Sequence, residues 1–515
     1  MTQFTFMKPY ILLILFANLF LINLLQAQQT SPKREFRGVW VQTVYQDRYK
    51  NMTPAEMRGY FIYMLDYFQK ANFNTVVFQV RPQADAFYPS SLEPWSSHLT
   101  GTQGRAPSPY WDPMAFLIRE CHKRNMEFHA WLNPYRVTVG SSERLASSHI
   151  YNSHPEWFVK YDGKIYFDPG IPDCRKFICD VVEDIVERYD VDAIHMDDYF
   201  YPYPAPGVSF PDENSFRKYG NQQGFYSNKD DWRRNNVNNL IKEIKETIVN
   251  TGKPSVKFGI SPFGIYRNKK NTPDGSGSNT DGLENYGDLY ADVLLWARNG
   301  WIDYLIPQIY WEIGHKKADY ETLIYWWNQH VSSVQLYIGQ DVERSIKTPD
   351  ARNPRKNQLS RKMELERTLP NVSGNCFWYG YAIMDNYGGI TDSLVNNYHK
   401  YPALIPSGPH GNKKILPDAP RKIHVNRTPA GKYKLTWEIK TQKEYLKNPV
   451  YYCIYRFEKK ERVNLNNAEK IVKITRETEY ILPYNNGKTE YKYVVTSVNK
   501  LHDESKKGKE KKVKL

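Results

Sequence analysis

Cysteine is scarce in this chain and is nowhere arranged for chemistry. The 515 residues contain five: Cys121, Cys174, Cys179, Cys376 and Cys453. Their number is odd and their spacing matches neither a zinc site nor a redox pair, so we expect buried thiols, Cys174 and Cys179 included. No glycine-rich phosphate turn follows the first predicted strand, which counts against a nucleotide-binding open sheet. Long apolar runs are absent with one exception, Ile11 to Leu25, broken only by Asn18 and Asn23. Lys8 precedes it, and Gln26-Ala27-Gln28 follows with Ala27 at the small position of a cleavage site. The run is shorter than the roughly 20 residues that span a bilayer, and no cysteine follows it to accept a lipid anchor. Residues 1–27 therefore read as a secretory signal peptide, with an uncleaved anchor as the alternative. The mature protein is expected in the periplasm, cell envelope or medium, without stable membrane insertion.

Charge is not lacking: the formal balance is +14. Part of the excess sits in the last ten residues, "KKGKEKKVKL", read as a solvated basic tail. The sign is compatible with an anionic cell-wall glycan, and no nucleic-acid partner is inferred from it.

Between residues 36 and 385, eight β-rich runs alternate with helical stretches. The runs are 38–44, 75–82, 127–136, 192–200, 256–264, 303–311, 334–342 and 374–382. Among the helical stretches are "AEMRGYFIYMLDYFQKA", "DPMAFLIRECHKRN", "DCRKFICDVVEDIVERY" and "WRRNNVNNLIKEIKETIVN", with apolar residues every three or four positions. Eight such alternations are what a (β/α)8 TIM barrel requires, so residues 34–400 are assigned to an α/β barrel, with a doubly wound sheet as runner-up. A Pro/Gly-rich linker, 401–420, follows. From Arg421 to the C-terminus the helical period gives way to short strands spaced as in a small all-β sandwich. Trp437 on an early strand and the tyrosine-rich stretch Tyr491 to Val495 resemble a fibronectin type III module.

In such a barrel, chemistry sits at the C-terminal ends of the strands. Alternation there selects inward-facing residues. In "DAIHMDDYFYP" (192–202), Ile194 and Met196 face the helices, which turns His195 and Asp197 to the axis and leaves Asp198 at the lip. The second strand offers Gln79 and Arg81. The third offers His129, Trp131, Asn133 and Tyr135, with Arg136 beside them; the sixth offers Gln308, Tyr310 and Glu312. Forty tyrosines and thirteen tryptophans are far more than a core needs, and flat aromatic faces stack on sugar rings. Tyr199, Tyr201, Trp311 and Trp378 are therefore added to the polysaccharide-binding set. Glycosidic hydrolysis uses two carboxyl groups on either side of the bond. Asp197 or Asp198 supplies one, and the partner is expected from another strand, Glu312 first and Asp341 second. No cofactor is called for. A metal site on His129, His195 and Asp197 is the enzymatic alternative, and a glycan-binding barrel without catalysis the other.

Several long stretches resemble the bacterial glycosyl-hydrolase-like family 10, formerly a domain of unknown function. They are "REFRGVWVQTV", "FNTVVFQVRPQADAFYPSSLEPWSSHLTGTQG", "WDPMAFLIRECHKRNMEFHAWLNPYR", "HPEWFVKYDGKIYFDPG", "DAIHMDDYFYPYP" and "GWIDYLIPQIYW". The resemblance covers about residues 34 to 385. It implies an exported barrel glycosidase at the cell envelope, acting on peptidoglycan glycan strands or other bacterial polysaccharides, and it suits a trailing fibronectin-like module. The more distant chitinase-like barrels carry D-x-D-x-E on the fourth strand. That pattern falls here on His195, Asp197 and Tyr199, so the terminal proton-donating glutamate is missing. A substrate-assisted mechanism of that type is not expected on this count, and the donor is sought elsewhere.

Overall fold

A computed structural model describes residues 31–408, 415–483 and 487–515. The predicted signal peptide and part of the predicted linker lie outside them. Among the described residues no helix is long and apolar enough to cross a membrane.

Eight parallel strands close into a barrel, each paired with its neighbours in chain order and the last with the first. They are β1 (Phe36–Val41), β2 (Thr75–Arg81), β3 (Glu127–Leu132), β4 (Ala193–Met196), β5 (Lys257–Ile260), β6 (Tyr304–Leu305), β7 (Gln335–Asp341) and β8 (Val372–Trp378). The strands are buried on both faces because helices cover the outside, as an all-parallel sheet demands. Four long helices of this layer are α1 (Pro54–Lys70), α2 (Pro113–Lys123), α3 (Pro172–Arg188) and α4 (Lys229–Asn250). Their starts are encoded locally. Thr53 and Glu56 form a reciprocal capping box on α1, Asp112 caps α2 and Asn228 caps α4. The apolar stripe of α1, Met57, Phe61, Met64, Leu65 and Phe68, is buried against the sheet.

The barrel axis is filled by Phe36, Trp40, Val77, Trp131, Ala193, Tyr304, Ile306, Tyr337 and Cys376. Tyr304 crosses it only because residue 259 of β5 is glycine: a Cβ there would lie 1.9 Å from the tyrosine ring. A chain of hydrogen bonds runs down this axis. The Trp40 indole donates to His195 Nε2 at 3.3 Å, His195 Nδ1 meets Tyr304 Oη at 3.0 Å, and Tyr304 Oη meets His129 Nδ1 at 2.8 Å. His129 Nε2 then donates to Glu127 at 2.9 Å. The indole has only a proton to give, so it fixes both histidine tautomers and sends every donor toward Glu127. Burial holds both imidazoles below their ordinary pKa, hence neutral.

The C-terminal unit has two antiparallel sheets. β9 (Arg421–Arg427), β10 (Tyr433–Glu438) and β13 (Glu479–Ile481) form one. β11 (Pro449–Glu458), β12 (Ile471–Thr475), β14 (Glu490–Asn499) and β15 (Lys511–Lys514) form the other. Leu435, Trp437, Tyr452, Ile454, Tyr493 and Val495 share one core. The supposed basic tail is corrected here: Lys511–Lys514 is an edge strand on β14, with Val513 and Leu515 buried in that core. Alternation of lysine with Val513 and Leu515 is a strand signal that net charge alone conceals.

This unit docks on the N-terminal ends of the barrel strands, away from their C-terminal ends. His502 Nε2 reaches Glu127 at 2.6 Å, Lys33 pairs with Glu504 at 2.5 Å, and Asn125 donates to the Ile474 carbonyl at 3.1 Å. Leu404, in the predicted linker, is buried among Tyr451, Cys453, Tyr455 and Val494. The described part of that linker is therefore packed chain, not a free spacer. All five cysteines are buried free thiols.

Candidate active site

At the C-terminal end of the barrel lies a cavity of about 310 Å³, lined by Trp40, Trp131, Asp197, Asp198, Tyr199, Tyr203, Ser261, Phe263, Gln308, Tyr310, Trp311, Arg344 and Trp378. Its floor is aromatic. Trp378 stands edge-on to Trp40 and Trp131, with centroids 6.4 and 6.2 Å away, and is stacked with Tyr310 at 6.5 Å. Its carboxyls are Asp197 and Asp198, just past the end of β4.

The two acids have different surroundings. Asp197 accepts from the Trp131 indole and from the Asn133 amide, each at 3.2 Å. Burial raises its pKa, while the Arg136 charge and these hydrogen bonds oppose the rise. Asp198 accepts at one oxygen from Tyr203 Oη, at 2.5 Å; its other oxygen, Oδ1, is buried without a protein partner. Burial, and then the neighbouring Asp197 charge, push Asp198 up to about 7. Of the two, the environment favours Asp198 as the site of a proton. A carboxylic acid of this pKa, with one oxygen unpartnered, is equipped to protonate a leaving oxygen.

Of the residues selected from the sequence, Trp131, Asp197, Asp198, Tyr199, Gln308, Tyr310, Trp311 and Trp378 converge on the cavity. Asn133 stands behind Asp197, and Arg136 lies over the Tyr199 ring at 5.5 Å. The others are placed elsewhere. Gln79 accepts the N–H groups of Thr43 and Val44 and so fastens the loop after β1. Arg81 is fully buried in a two-pronged ion pair with Glu93, 2.8 and 2.5 Å, leaving no free charge for a ligand. Tyr135 lies in the outer core near Cys174 and Arg175, because β3 ends at Leu132 and alternation no longer carries to residue 135. Tyr201 is buried edge-on against Phe210 and Tyr290 and is no sugar platform. His195 lies under the floor with both nitrogens engaged, by Tyr304 and by Trp40 and Ser261. With His129 bonded on both sides as well, the metal-ligand set weighed as the alternative is not gathered; among the described residues no group of three or more potential ligands is.

Neither expected partner carboxyl lines the cavity. Asp341 caps the short helix that follows β7, accepting the Arg344 N–H at 2.8 Å. Glu312 sits in a turn whose carbonyl accepts from His315 and Tyr320, and its charge bears on the buried Lys362 ammonium. Conversely, Tyr203, Ser261, Phe263 and Arg344 were missed. Alternation applied to 256–264 would have selected Ser261 and Phe263 through Gly259; Tyr203 and Arg344, in a loop and a helix, give no such signal.

The description glycosyl hydrolase-like 10 matches residues 35–357. The chain belongs to this family. It is 40% identical over 501 residues to glycosyl hydrolase YngK of Bacillus subtilis, covering 95% of this chain and 96% of that one. It is 36% identical over 374 residues to glycosyl hydrolase DigH of Escherichia coli K12, covering 67% and 83%. Among solved structures, the catalytic domain of a Paenibacillus polymyxa β-amylase aligns with TM-score 0.45 and 12% identity over 70% of this chain and 99% of that one. The PgaB glycoside hydrolase domain of Bordetella bronchiseptica aligns with TM-score 0.40 and 12% identity over 70% and 98%. The glycosyl hydrolase-like 10 member described here is a glycoside hydrolase on a (β/α)8 barrel, and its substrate is a carbohydrate.

Proposed function

We propose that the protein is an exported hydrolase cutting glycosidic bonds in a bacterial cell-envelope polysaccharide, foremost peptidoglycan glycan strands. The observation that carries this reading is the Asp197–Asp198 pair at the wall of an aromatic-floored cavity. Asp198 donates the proton to the departing oxygen, and Trp40, Trp131, Trp378 and Tyr310 offer ring faces and edges to the sugar. The N-terminal apolar run with its Ala27 site supports export, and the positive balance suits an anionic wall polymer. Seven strands in sheets of three and four support the fibronectin type III-like reading of the C-terminal unit. Mass spectrometry of fragments released from purified glycan strands names substrate and linkage together. Fragments from the wild type, and release slowed by about 10²- to 10⁴-fold in Asp198→Asn, are expected. Absence of fragments from peptidoglycan, with release from another envelope glycan, would replace the substrate. Mature protein recovered from the cytoplasm with residues 1–27 intact would overturn export.

A further inference from the structure

Among the described residues, the cavity has an acid but no carboxylate opposite it. A retaining glycosidase of the ordinary kind needs carboxyls roughly 5 to 5.5 Å apart across the bond, and an inverting one needs roughly 6.5 to 9.5 Å. Here the carboxyls lining the cavity belong to consecutive residues at one strand end. The floor, where an attacking carboxylate would stand, is instead built from Trp40, Trp131, Tyr310 and Trp378 over a neutral His195. An aromatic cup beside a carboxylate is unsuited to holding a second negative charge. It is well suited to a methyl group next to an N–H donor.

We propose that the nucleophile comes from the substrate: the carbonyl oxygen of a 2-acetamido group on the sugar being cleaved, with its methyl in the aromatic cup and its N–H donated to Asp197. This deepens the glycosidase reading above, on which it rests, and it narrows the substrate class to N-acetylated hexosamine glycans. Asp198 protonates the glycosidic oxygen through its unpartnered Oδ1, and the C1–O bond breaks to release the shortened chain as an alcohol. At the same time the acetamido oxygen bonds to C1, giving a bicyclic oxazolinium whose positive charge, spread over C–N–H, faces the Asp197 carboxylate. Asp198, now ionised, takes a proton from water, and the water oxygen attacks C1. The C1–O bond of the oxazolinium breaks and the acetamido group is restored. The configuration at C1 is retained, and the protons balance, since Asp198 ends as it began.

Trp131 and Asn133 have a defined part in this scheme. Their hydrogen bonds to Asp197, each at 3.2 Å, fix the carboxylate against the cup wall so that it meets the amide edge-on. They also favour the ionised form of Asp197, which a positive intermediate requires, against the burial that raises its pKa. The terminal glutamate of the chitinase-like pattern is thus not needed: Asp198, one residue beyond the middle aspartate, takes the donor role that the spacing left vacant at Tyr199.

The test uses one parent polymer. Peptidoglycan glycan strands are chemically de-N-acetylated and re-acylated with acetyl, fluoroacetyl, difluoroacetyl or trifluoroacetyl groups, and kcat is measured for the full-length wild type on each. Each added fluorine withdraws electrons from the carbonyl oxygen, so kcat is expected to fall stepwise along the series. An N-acetylhexosamine-derived thiazoline, a stable mimic of the oxazolinium, is expected to inhibit competitively. Asp197→Asn is expected to lower kcat by about 100-fold or more with little change in KM, the usual scale for removing one preorganised electrostatic partner of a transition state, and to weaken thiazoline binding. Strands that are cut at a rate indifferent to fluorination, or as fast when left de-N-acetylated, would overturn this inference and leave the glycosidase reading standing. So would mass-spectrometric capture of a glycosyl ester on a carboxylate of the protein. Failure to cut any acylated strand, with cleavage of an envelope glycan lacking amides, would overturn it as well.

Discussion

Asp198→Asn separates catalytic need from structural cost. The carboxyl is buried, with its pKa raised from the 3.8 of a free aspartate to about 7, by burial first and by the Asp197 charge second. A group whose folded pKa lies above its unfolded one favours folding in its protonated form. That advantage is complete below the unfolded pKa and is lost as pH rises through the folded one. A shift of about three units, at 1.36 kcal/mol each, makes the ionised carboxyl an order-of-magnitude burden of about 4 kcal/mol at alkaline pH. Asparagine keeps an oxygen for Tyr203 and never ionises. The variant should therefore be more stable than the wild type by about 4 kcal/mol near pH 8.5 and by no more than about half of that near pH 5, following the linkage relation. Unfolding entropy for a chain of this size is on the order of 1 kcal/mol/K, so the gain in Tm is about 4 °C at the higher pH and about 1 °C at the lower. Differential scanning calorimetry at the two pH values reads this directly, and kcat on glycan strands should fall by about 10²- to 10⁴-fold, the usual contribution of a general acid. A stability difference that does not change with pH, or a variant less stable at both values, would refute the assignment of the proton to Asp198.

Tyr203→Phe removes a hydrogen bond that favours the ionised form of Asp198; the alkaline limb of kcat/KM should therefore move to higher pH, as a pH–rate profile would show. Arg81→Ala strands the buried Glu93 carboxylate, at a cost of about 3–5 kcal/mol in denaturant unfolding. If instead it raised KM at unchanged stability, Arg81 would be a ligand-binding residue after all. Gly259→Ala forces the Tyr304 ring aside, and overpacking of this kind costs about 1–3 kcal/mol. Its Tm should drop, and tyrosine or tryptophan fluorescence should report disturbance of the axis.

How far the sequence could be read followed from how far each ladder extends. The eight-fold alternation identified the barrel, and parity correctly turned Trp131, His195, Gln308 and Tyr310 inward. It held at Gln308, three residues past β6, because isolated bridges to Phe263 and Gly339 continue the ladder there. It failed at Tyr135, where the chain turns immediately after β3 and Asn133 Oδ1 accepts the Arg136 N–H. Partners placed by the loops that follow the strands were beyond its reach. Nothing near Arg81 announces Glu93, and nothing near Asp198 announces Tyr203. The same limit misdirected the search for a second carboxyl: Glu312 and Asp341 lie close to strand ends in sequence, but a turn and a helix cap occupy them.

The carboxylate of Glu127 stands at the foot of the barrel axis, and residues from both halves of the chain meet on it. His129 and Lys257 come from the barrel, and His502 comes from the C-terminal unit. His502 in turn meets Tyr451 Oη at 3.0 Å. The proline-rich stretch after residue 400 is a boundary in composition, but it does not divide the molecule energetically. A chain ended there would keep the Glu127–Lys257 ion pair and lose the histidine that hydrogen-bonds to the same carboxylate, at the same foot from which Tyr304 and His195 are aligned beneath the cavity. The C-terminal unit is therefore tied to the barrel by a polar contact at the foot of the axis, at the end opposite the cavity.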